Sequence, residues 1–116
     1  MTAKTTPAVA FNSVRLELKR DTPAEKVATV TLECLCAGVP FAVALLDVEC
    51  RPADPHKPLR VADPLWQHPD TEGLMVRRGM LSPRDLIRLE HAALVTAWKW
   101  IHGVMGWSEN VPPPPC

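Results

Sequence analysis

Tyrosine is absent from this chain of 116 residues, and phenylalanine occurs only twice. The lack of tyrosine argues against a binding surface of the antibody type. Net charge is missing as well, because thirteen Lys and Arg balance thirteen Asp and Glu. This balance excludes a strong overall field that would draw the chain to nucleic acid. Any basic surface must therefore be local.

Long apolar runs are also missing. The longest run, residues 39–46, is much shorter than the roughly 20 residues that a membrane-spanning helix needs. Residues 1–10 contain one lysine and no apolar stretch of the kind that is typical of a secretion signal. We therefore expect no membrane partner and a cytoplasmic protein, or a virion protein if a phage encodes it.

Motifs for phosphate, metal and catalytic chemistry do not occur at the spacings that such sites require. The five glycines are scattered, so the sequence contains no phosphate-binding loop. Glu90-His91 lacks the second histidine of a zinc-binding helix, and His102 lies about three helical turns from His91. The sequence therefore predicts no metal, no cofactor and no catalytic residue, and we expect that the protein is not an enzyme.

Alternating apolar and polar residues predict strands at residues 13–19 and 41–51. Two signals compete over residues 26–37. Alternation there predicts a strand, whereas a capping box that begins at Thr22 and the later Gly38 indicate a helix. The strand is preferred because the Val and Thr residues in this run lower its helix propensity.

A strand at 26–36 would form a hairpin with the following strand. A two-residue turn at 38–39 places Cys34 opposite Val43 and keeps Cys36 and Cys50 from being cross-strand partners. This geometry disfavours a disulfide and a tetrahedral metal site. The favoured interpretation is therefore that the cysteines are free thiols.

A proline-rich connection extends over residues 51–73. Because proline presets φ and lacks an N–H donor, we expect this segment to be extended and irregular without being floppy. Trp66 in its middle is expected to pin the segment to the core. Residues 74–78 are a candidate for a short edge strand.

These elements predict an α+β fold, in which a small antiparallel meander or hairpin sheet packs against one long C-terminal helix. The expected division is a flexible arm at 1–10, a single domain at 11–107 and an extended proline-rich tail at 108–116.

The C-terminal helix is predicted to run from Ser82 to His102. Its N-terminus has a serine cap, Pro83 at the first helical position and Asp85 at the third, and Gly103 follows the helix. At 100° per residue, one stripe faces the sheet. The predicted core stripe consists of Leu86, Leu89, Ala93, Ala97, Trp100, Ile101 and Val104.

A second apolar seam lies about 100° away around the helix. The seam consists of Ile87, Leu94, Trp98 and Met105. Two interpretations are open: the proline-rich segment with Trp66 covers the seam, or a second chain covers it as a partner interface. Exposed tryptophan and methionine are favoured at interfaces of the second kind.

A third sector of the helix is basic. The basic strip consists of Arg84, Arg88, His91, Lys99 and His102, and Arg77 and Arg78 could extend it. Such a strip can contact phosphates or an acidic protein surface, although an ordinary solvated face has the same pattern. The balanced net charge makes nucleic acid possible as a partner but not the favoured one.

Glu90 is the unusual residue of the helix, because it projects into the apolar arc. A buried carboxylate normally has a partner, so we expect Glu90 to reach Arg77 or Arg78 or to lie at the rim. The functional alternative is a general base.

The sequence as a whole predicts a small non-enzymatic binding or assembly protein that acts through the second apolar seam. The predicted interface comprises Ile87, Leu94, Trp98, Met105 and Trp66, with a homo-oligomer or another protein as partner. A structural subunit or an inhibitor of a host complex, encoded by a phage or another mobile element, fits this expectation. The alternative is a nucleic-acid-binding accessory protein that uses the basic strip.

Overall fold

The computed structural model describes residues 9–103 except 52, 55, 72 and 76–80, with the backbone alone of 74, 75 and 103. The elements in chain order are β1 (Val9–Asp21), β2 (Lys26–Cys36), β3 (Val39–Cys50), β4 (Leu59–Val61), β5 (Leu65–Gln67), β6 (Leu74–Met75) and α1 (Pro83–Gly103). Most of the predicted arm, the residues Arg77, Arg78, Val104 and Met105, and the predicted tail lie outside the described residues.

The strands form one antiparallel sheet in the order β1-β2-β3-β5-β6, and β4 pairs with the other half of β3. Helix α1 packs on one face of this sheet and contacts β1, β2, β3 and β4. The predicted α+β architecture is thus confirmed. The competing signals over 26–37 are decided in favour of the strand, and β1 begins at Val9, two residues before the predicted domain boundary.

The predicted register of the β2–β3 hairpin is wrong by one residue. Cys34 pairs with Ala42 and not with Val43, and the two turn residues are Ala37 and Gly38. Both have positive φ angles, 53° and 80°, as a tight hairpin turn that matches strand twist requires. A one-residue slip would have turned the buried face of one strand towards the open face of its partner.

The proline-rich connection is more regular than predicted. It contains β4 and β5, which pair with the two halves of β3. Trp66 on β5 packs against the core as predicted, whereas the neighbouring Leu65 is 62% exposed on the opposite face. The edge strand predicted at 74–78 is present as Leu74–Met75, and residues 76–78 lie outside the described part.

The core lies between α1 and the two central strands. Even-numbered residues of β2 and β3 face the helix and are buried, from Ala28 to Cys34 and from Ala42 to Cys50. Four helix residues complete this layer: Leu89, Ala93, Ala97 and Ile101. Alanines on both sides of the contact allow the helix backbone to approach the sheet closely.

The start of α1 confirms the predicted cap. The Ser82 hydroxyl accepts a hydrogen bond from the Asp85 backbone N–H at 3.2 Å, and Pro83 is the first helical residue. The cap satisfies one of the N–H donors that a helix N-terminus leaves without a partner. The sequence therefore fixes where the helix begins and, through its periodicity, which side it buries.

Candidate interaction surface

The outward side of the first half of α1 borders an open groove, which we call the α1 groove. It has a volume of about 730 Å³. Strand β1 contributes Ala10 and Phe11, and the helix contributes Ile87, Arg88, Glu90, His91, Ala92 and Leu94. Ile87 is a large apolar side chain of the groove and is 67% exposed. An apolar surface of this kind is typical of a binding surface.

The structure brings only part of the predicted interface together. Ile87 and Leu94 both line the α1 groove. Trp98 is half-buried against the small cluster formed by Cys50 and Ile101. Trp66 packs on the sheet side of the core, and Met105 lies outside the described residues. Within its described residues, the second apolar seam is therefore divided: Ile87 and Leu94 line the groove, and Trp98 is packed.

Two groove residues come from a part of the sequence that gave no signal for this site. Ala10 belongs to the predicted arm, and Phe11 begins the predicted domain; both lie on β1, far from α1 in sequence. Phe11 reaches the groove because β1 pairs with β2 so that Phe11 lies opposite Cys34, beneath the helix. Only the strand pairing, which periodicity does not encode, could have indicated this.

The basic strip is less positive in the fold than in the sequence. Arg88 forms an ion pair with Asp85 at 2.9 Å, and its guanidinium lies 5.6 Å from the centroid of the Phe11 ring. The His102 ring meets the Trp98 ring edge-on at 4.3 Å between centroids. A cation that already has an acidic partner and an aromatic contact contributes less to the field outside the protein.

The remaining members of the basic strip are spread along the helix. Arg84 and Lys99 are exposed, and neither has an ion-pair partner within the described part of the chain. His91 is half-buried and lines the α1 groove. Among the described residues, the strip therefore presents two separated exposed cations without an acidic partner, Arg84 and Lys99, and the exposed Arg88, which is paired with Asp85.

Glu90 lies at the rim of the apolar arc of α1, which is one of the two positions that were predicted for it. Its side chain is half-buried and lines the α1 groove next to His91. Arg77 and Arg78, the partners proposed in the other alternative, lie outside the described residues. The groove thus carries a carboxylate and two basic side chains, of His91 and Arg88, along an otherwise apolar wall.

Two carboxylates are held in their ionised form by hydrogen bonds. The pKa of Asp54 is lowered to about 2, because it accepts hydrogen bonds from the backbone N–H groups of Lys57 and His56 and from Arg60. Hydrogen bonds from Arg20 and Arg51 lower the pKa of Glu25, against an opposing effect of burial. Both carboxylates organise turns of the backbone.

The pKa values of two cysteines are shifted in the opposite direction, upwards. Burial raises the pKa of the Cys34 thiol to about 12, and the nearby Glu33 adds to this shift. Burial also raises the pKa of Cys50, to about 11, against a small opposing effect of Lys26. Since the thiolate is the reactive form, both thiols are poor nucleophiles and poor metal ligands at neutral pH.

A second, smaller groove of about 440 Å³ lies on the sheet face that α1 leaves open. The loop at 67–71 borders it, together with Val14, Arg15, Thr31 and Val43. Among the residues that the structure describes, no three His, Cys, Asp or Glu side chains are placed to share a metal ion.

Within the described ranges, no helix has the length and apolar character needed to cross a membrane. Comparison with known proteins gives no match: neither a family, nor a curated protein, nor a solved structure matches this chain. The functional argument therefore rests on the surfaces of the molecule itself.

Proposed function

We propose that this chain is a small non-enzymatic assembly protein that binds a second copy of itself through the α1 groove. The observation that carries this proposal is the 67% exposure of Ile87 beside Leu94 on a groove wall that is largely apolar. Burying an exposed isoleucine on association is favourable, in proportion to the apolar area removed from water.

The groove side of α1 is complementary to itself in an antiparallel arrangement. A two-fold axis between Glu90 and His91 places Ile87 of one copy against Leu94 of the other. The same axis places Glu90 of one copy against His91 of the other, so that a carboxylate meets an imidazole ring. These residues share one side of the helix because they are spaced three or four positions apart. Isologous contacts of this type are the commonest in homo-oligomers.

The ionisable groups support a non-enzymatic role. The described groups with shifted pKa values are two carboxylates that stay ionised and two thiols that stay protonated at neutral pH. A general acid or base works best when its pKa lies near the working pH. In this fold, the shifts move the pKa values of these four groups away from neutral pH. Hydrogen bonds in turns lower the values of the carboxylates, and burial in the core raises those of the thiols.

Solution mass tests this proposal directly. Analytical ultracentrifugation across a concentration series should show an oligomer for the native chain and a smaller species for Ile87→Glu. Leu65→Glu is the matched control, because Leu65 is equally exposed, at 62%, but lies on the opposite face of the sheet. Equal masses for Ile87→Glu and the native chain would contradict the proposal.

A nucleic-acid-binding accessory role is the second candidate, and the exposure of Arg84 and Lys99 is the observation that favours it. Binding through so few phosphate contacts is expected to be weak and sensitive to salt. The test is binding of duplex DNA and of single-stranded RNA at low salt, with Arg84→Glu as the variant. Loss of binding in this variant would support the role, and no binding by the native chain would end it.

A finer version of the assembly proposal is a structural subunit, or an inhibitor of a host complex, encoded by a phage or another mobile element. It would place the protein in the cytoplasm or in a virion. The predicted flexible arm at 1–10 and the predicted proline-rich tail at 108–116 support this version.

A further inference from the structure

The outer edge of β1 is a second surface that the α1 groove does not include. Within the described part of the chain, β1 pairs with β2 alone, so its other edge offers free backbone N–H and C=O groups. Ten of its thirteen residues are exposed, and only Val9, Phe11 and Leu16 are half-buried. A long open edge of this kind is a template for pairing with another strand.

Two apolar side chains on this edge strand are strongly exposed. Val14 is 59% exposed and Leu18 is 40% exposed. Leu18 lies opposite Ala28 and therefore on the helix face, where α1 leaves it uncovered. Leu16 lies opposite the fully buried Val30 but is itself only half-buried. The helix face of β1 thus has apolar area that a neighbouring strand could cover.

The charges of β1 fall into two groups. Lys19 forms an ion pair with Asp47, and Asp21 forms one with Lys26. Arg15 and Glu17 face the open side of the sheet and have no ion-pair partner among the described residues. A basic and an acidic side chain, two positions apart on one face, are therefore available to a partner strand.

We propose that β1 pairs antiparallel with β1 of a second copy about a two-fold axis at Leu16. In this register Arg15 of each copy lies opposite Glu17 of the other on the open face, and the two Leu16 residues lie opposite each other on the helix face. Opposite charges and apolar pairs in direct cross-strand positions stabilise a sheet. The symmetry repeats the Arg15–Glu17 pair, so this favourable contact occurs twice.

Neighbouring registers are electrostatically worse. A shift of the axis by one residue places Arg15 opposite Arg15 or Glu17 opposite Glu17, and like charges in these positions are destabilising. An axis at Leu18 would require Lys19 and Asp21, which already have intramolecular partners. The charge pattern therefore selects the register centred on Leu16.

Two irregularities limit the length of this contact. The β1–β2 register shifts between Ser13 and Arg15 and again between Leu18 and Arg20. Such bulges bend an edge strand and restrict regular pairing. The segment between them, residues 15–18, is regular and contains both unpaired charges, so the predicted contact is short and specific.

The β1 contact does not rest on the groove proposal. It joins two sheets edge to edge, whereas the α1 groove joins two helices, and the two contacts have different two-fold axes. A chain with two different two-fold contacts builds assemblies larger than a dimer. The combined expectation is an assembly larger than a dimer for the native chain and a dimer when either contact is removed alone.

Charge reversal tests the β1 contact. Arg15→Glu creates two like-charge pairs across the axis, and so does Glu17→Arg, whereas the double variant restores both opposite-charge pairs. In ultracentrifugation, we expect each single variant to weaken this association about tenfold or more, and the double variant to return close to the native value. Arg84→Glu is the control, because it changes the net charge equally but lies on α1.

Three outcomes would overturn the β1 contact. They are single variants that associate like the native chain, a double variant as weak as the singles, and a native chain that is monomeric. The groove is judged separately by Ile87→Glu, which should leave the β1 dimer intact. In the background of Ile87→Glu, adding Arg15→Glu should give a monomer, and adding both charge reversals should restore the dimer.

Discussion

Strands β1 and β2 are neighbours of similar length and similar alternation, yet they have opposite environments. Strand β1 has thirteen residues, nearly all exposed, whereas β2 has eleven residues and none in the exposed class. In both strands, aliphatic residues alternate with polar ones. Alternation therefore shows that a segment is a strand with two different faces, but not how completely either face is covered.

The difference follows from the widths of the two layers. A helix with its side chains is about 10 Å across, and strands lie about 4.8 Å apart, so one helix covers about two strands. In this fold α1 buries the helix face of β2 and β3. Strand β1 lies at the margin of this width: Phe11 reaches the helix, whereas the helix-facing residues Leu16 and Leu18 stay partly open.

The same substitution on the two strands should show the largest difference. Leu32→Ala on β2 removes a side chain that is 1% exposed, and we expect a loss of about 2 to 5 kcal/mol in unfolding free energy. Leu18→Ala on β1 should cost about 1 kcal/mol or less, because the side chain is already 40% exposed. Urea unfolding at one fixed protein concentration measures both, since association adds to apparent stability.

Similar losses for the two leucine variants would contradict the idea that coverage by α1 separates β1 from β2. The slope of unfolding free energy against urea serves as the internal control. A changed slope in either variant would indicate an altered native or unfolded state rather than a lost contact.

An intermediate loss of unfolding free energy is expected for a substitution on the face of β2 that α1 does not cover. The Thr29 hydroxyl donates a hydrogen bond to Asp47 at 2.6 Å, and Thr29 is buried. Thr29→Val keeps the shape but removes this bond, and we expect a loss of about 1 to 2 kcal/mol in unfolding free energy. Ser13→Ala removes a hydroxyl from the exposed neighbouring strand and should change it by less than about 0.5 kcal/mol.

Thermal or urea unfolding measures the change in unfolding free energy for both variants, Thr29→Val and Ser13→Ala. A loss for Ser13→Ala as large as that for Thr29→Val would mean that the edge strand is as tightly held as the central one. A neutral Thr29→Val would instead assign no net stabilisation to the hydrogen bond with Asp47.

The smallest predicted change in unfolding free energy concerns the turn at 22–25, which joins β1 to β2. Because Arg20 and Arg51 lower the pKa of folded Glu25 below 4.5, the unfolded chain binds more protons in acid. The stabilisation by Glu25 is therefore present above pH 4.5 and is lost as the pH falls below it. Glu25→Gln should flatten the decline of stability in this range.

Unfolding midpoints measured between neutral and acidic pH test the Glu25 prediction. Asp54→Asn is the comparison variant. The pKa of Asp54 is lowered from 3.8 to about 2, so the effect of this variant should appear at lower pH, as the pH falls through that interval. An unchanged acid slope in Glu25→Gln would show that the two arginines do not stabilise the turn.

The prediction of the β2–β3 register failed because it assumed regular pairing from the turn onwards. The buried residues of both strands are even-numbered, from Ala28 to Cys34 and from Ala42 to Cys50. Paired residues share a face, so the numbers of the buried pairs must add to an even sum, and a two-residue turn reaches this sum only through the register shift between Cys34 and Leu35. The predicted turn at 38–39 placed Cys34 opposite Val43, which is an odd sum, so that prediction conflicted with the alternation of the two strands.

The candidate site was only half predictable for a similar reason. Helical periodicity placed Ile87, Leu94 and Trp98 on one side of α1, and this was sufficient to find the open wall of the groove. It could not show that Trp98 is packed against Cys50 and Ile101, or that Phe11 closes the other wall. Those facts depend on which strands lie beneath each turn of the helix.

The sequence by itself determined the long strands and the helix of this protein, but not the short strands β4 and β5 of the proline-rich connection. Period-two alternation determined the long strands, period-3.6 spacing determined the buried stripe of α1, and Ser82 with Pro83 determined its start. Only the tertiary structure decided which apolar side chains stay open. The reason is that periodicity describes one element at a time, whereas exposure depends on the width of the layer that covers it.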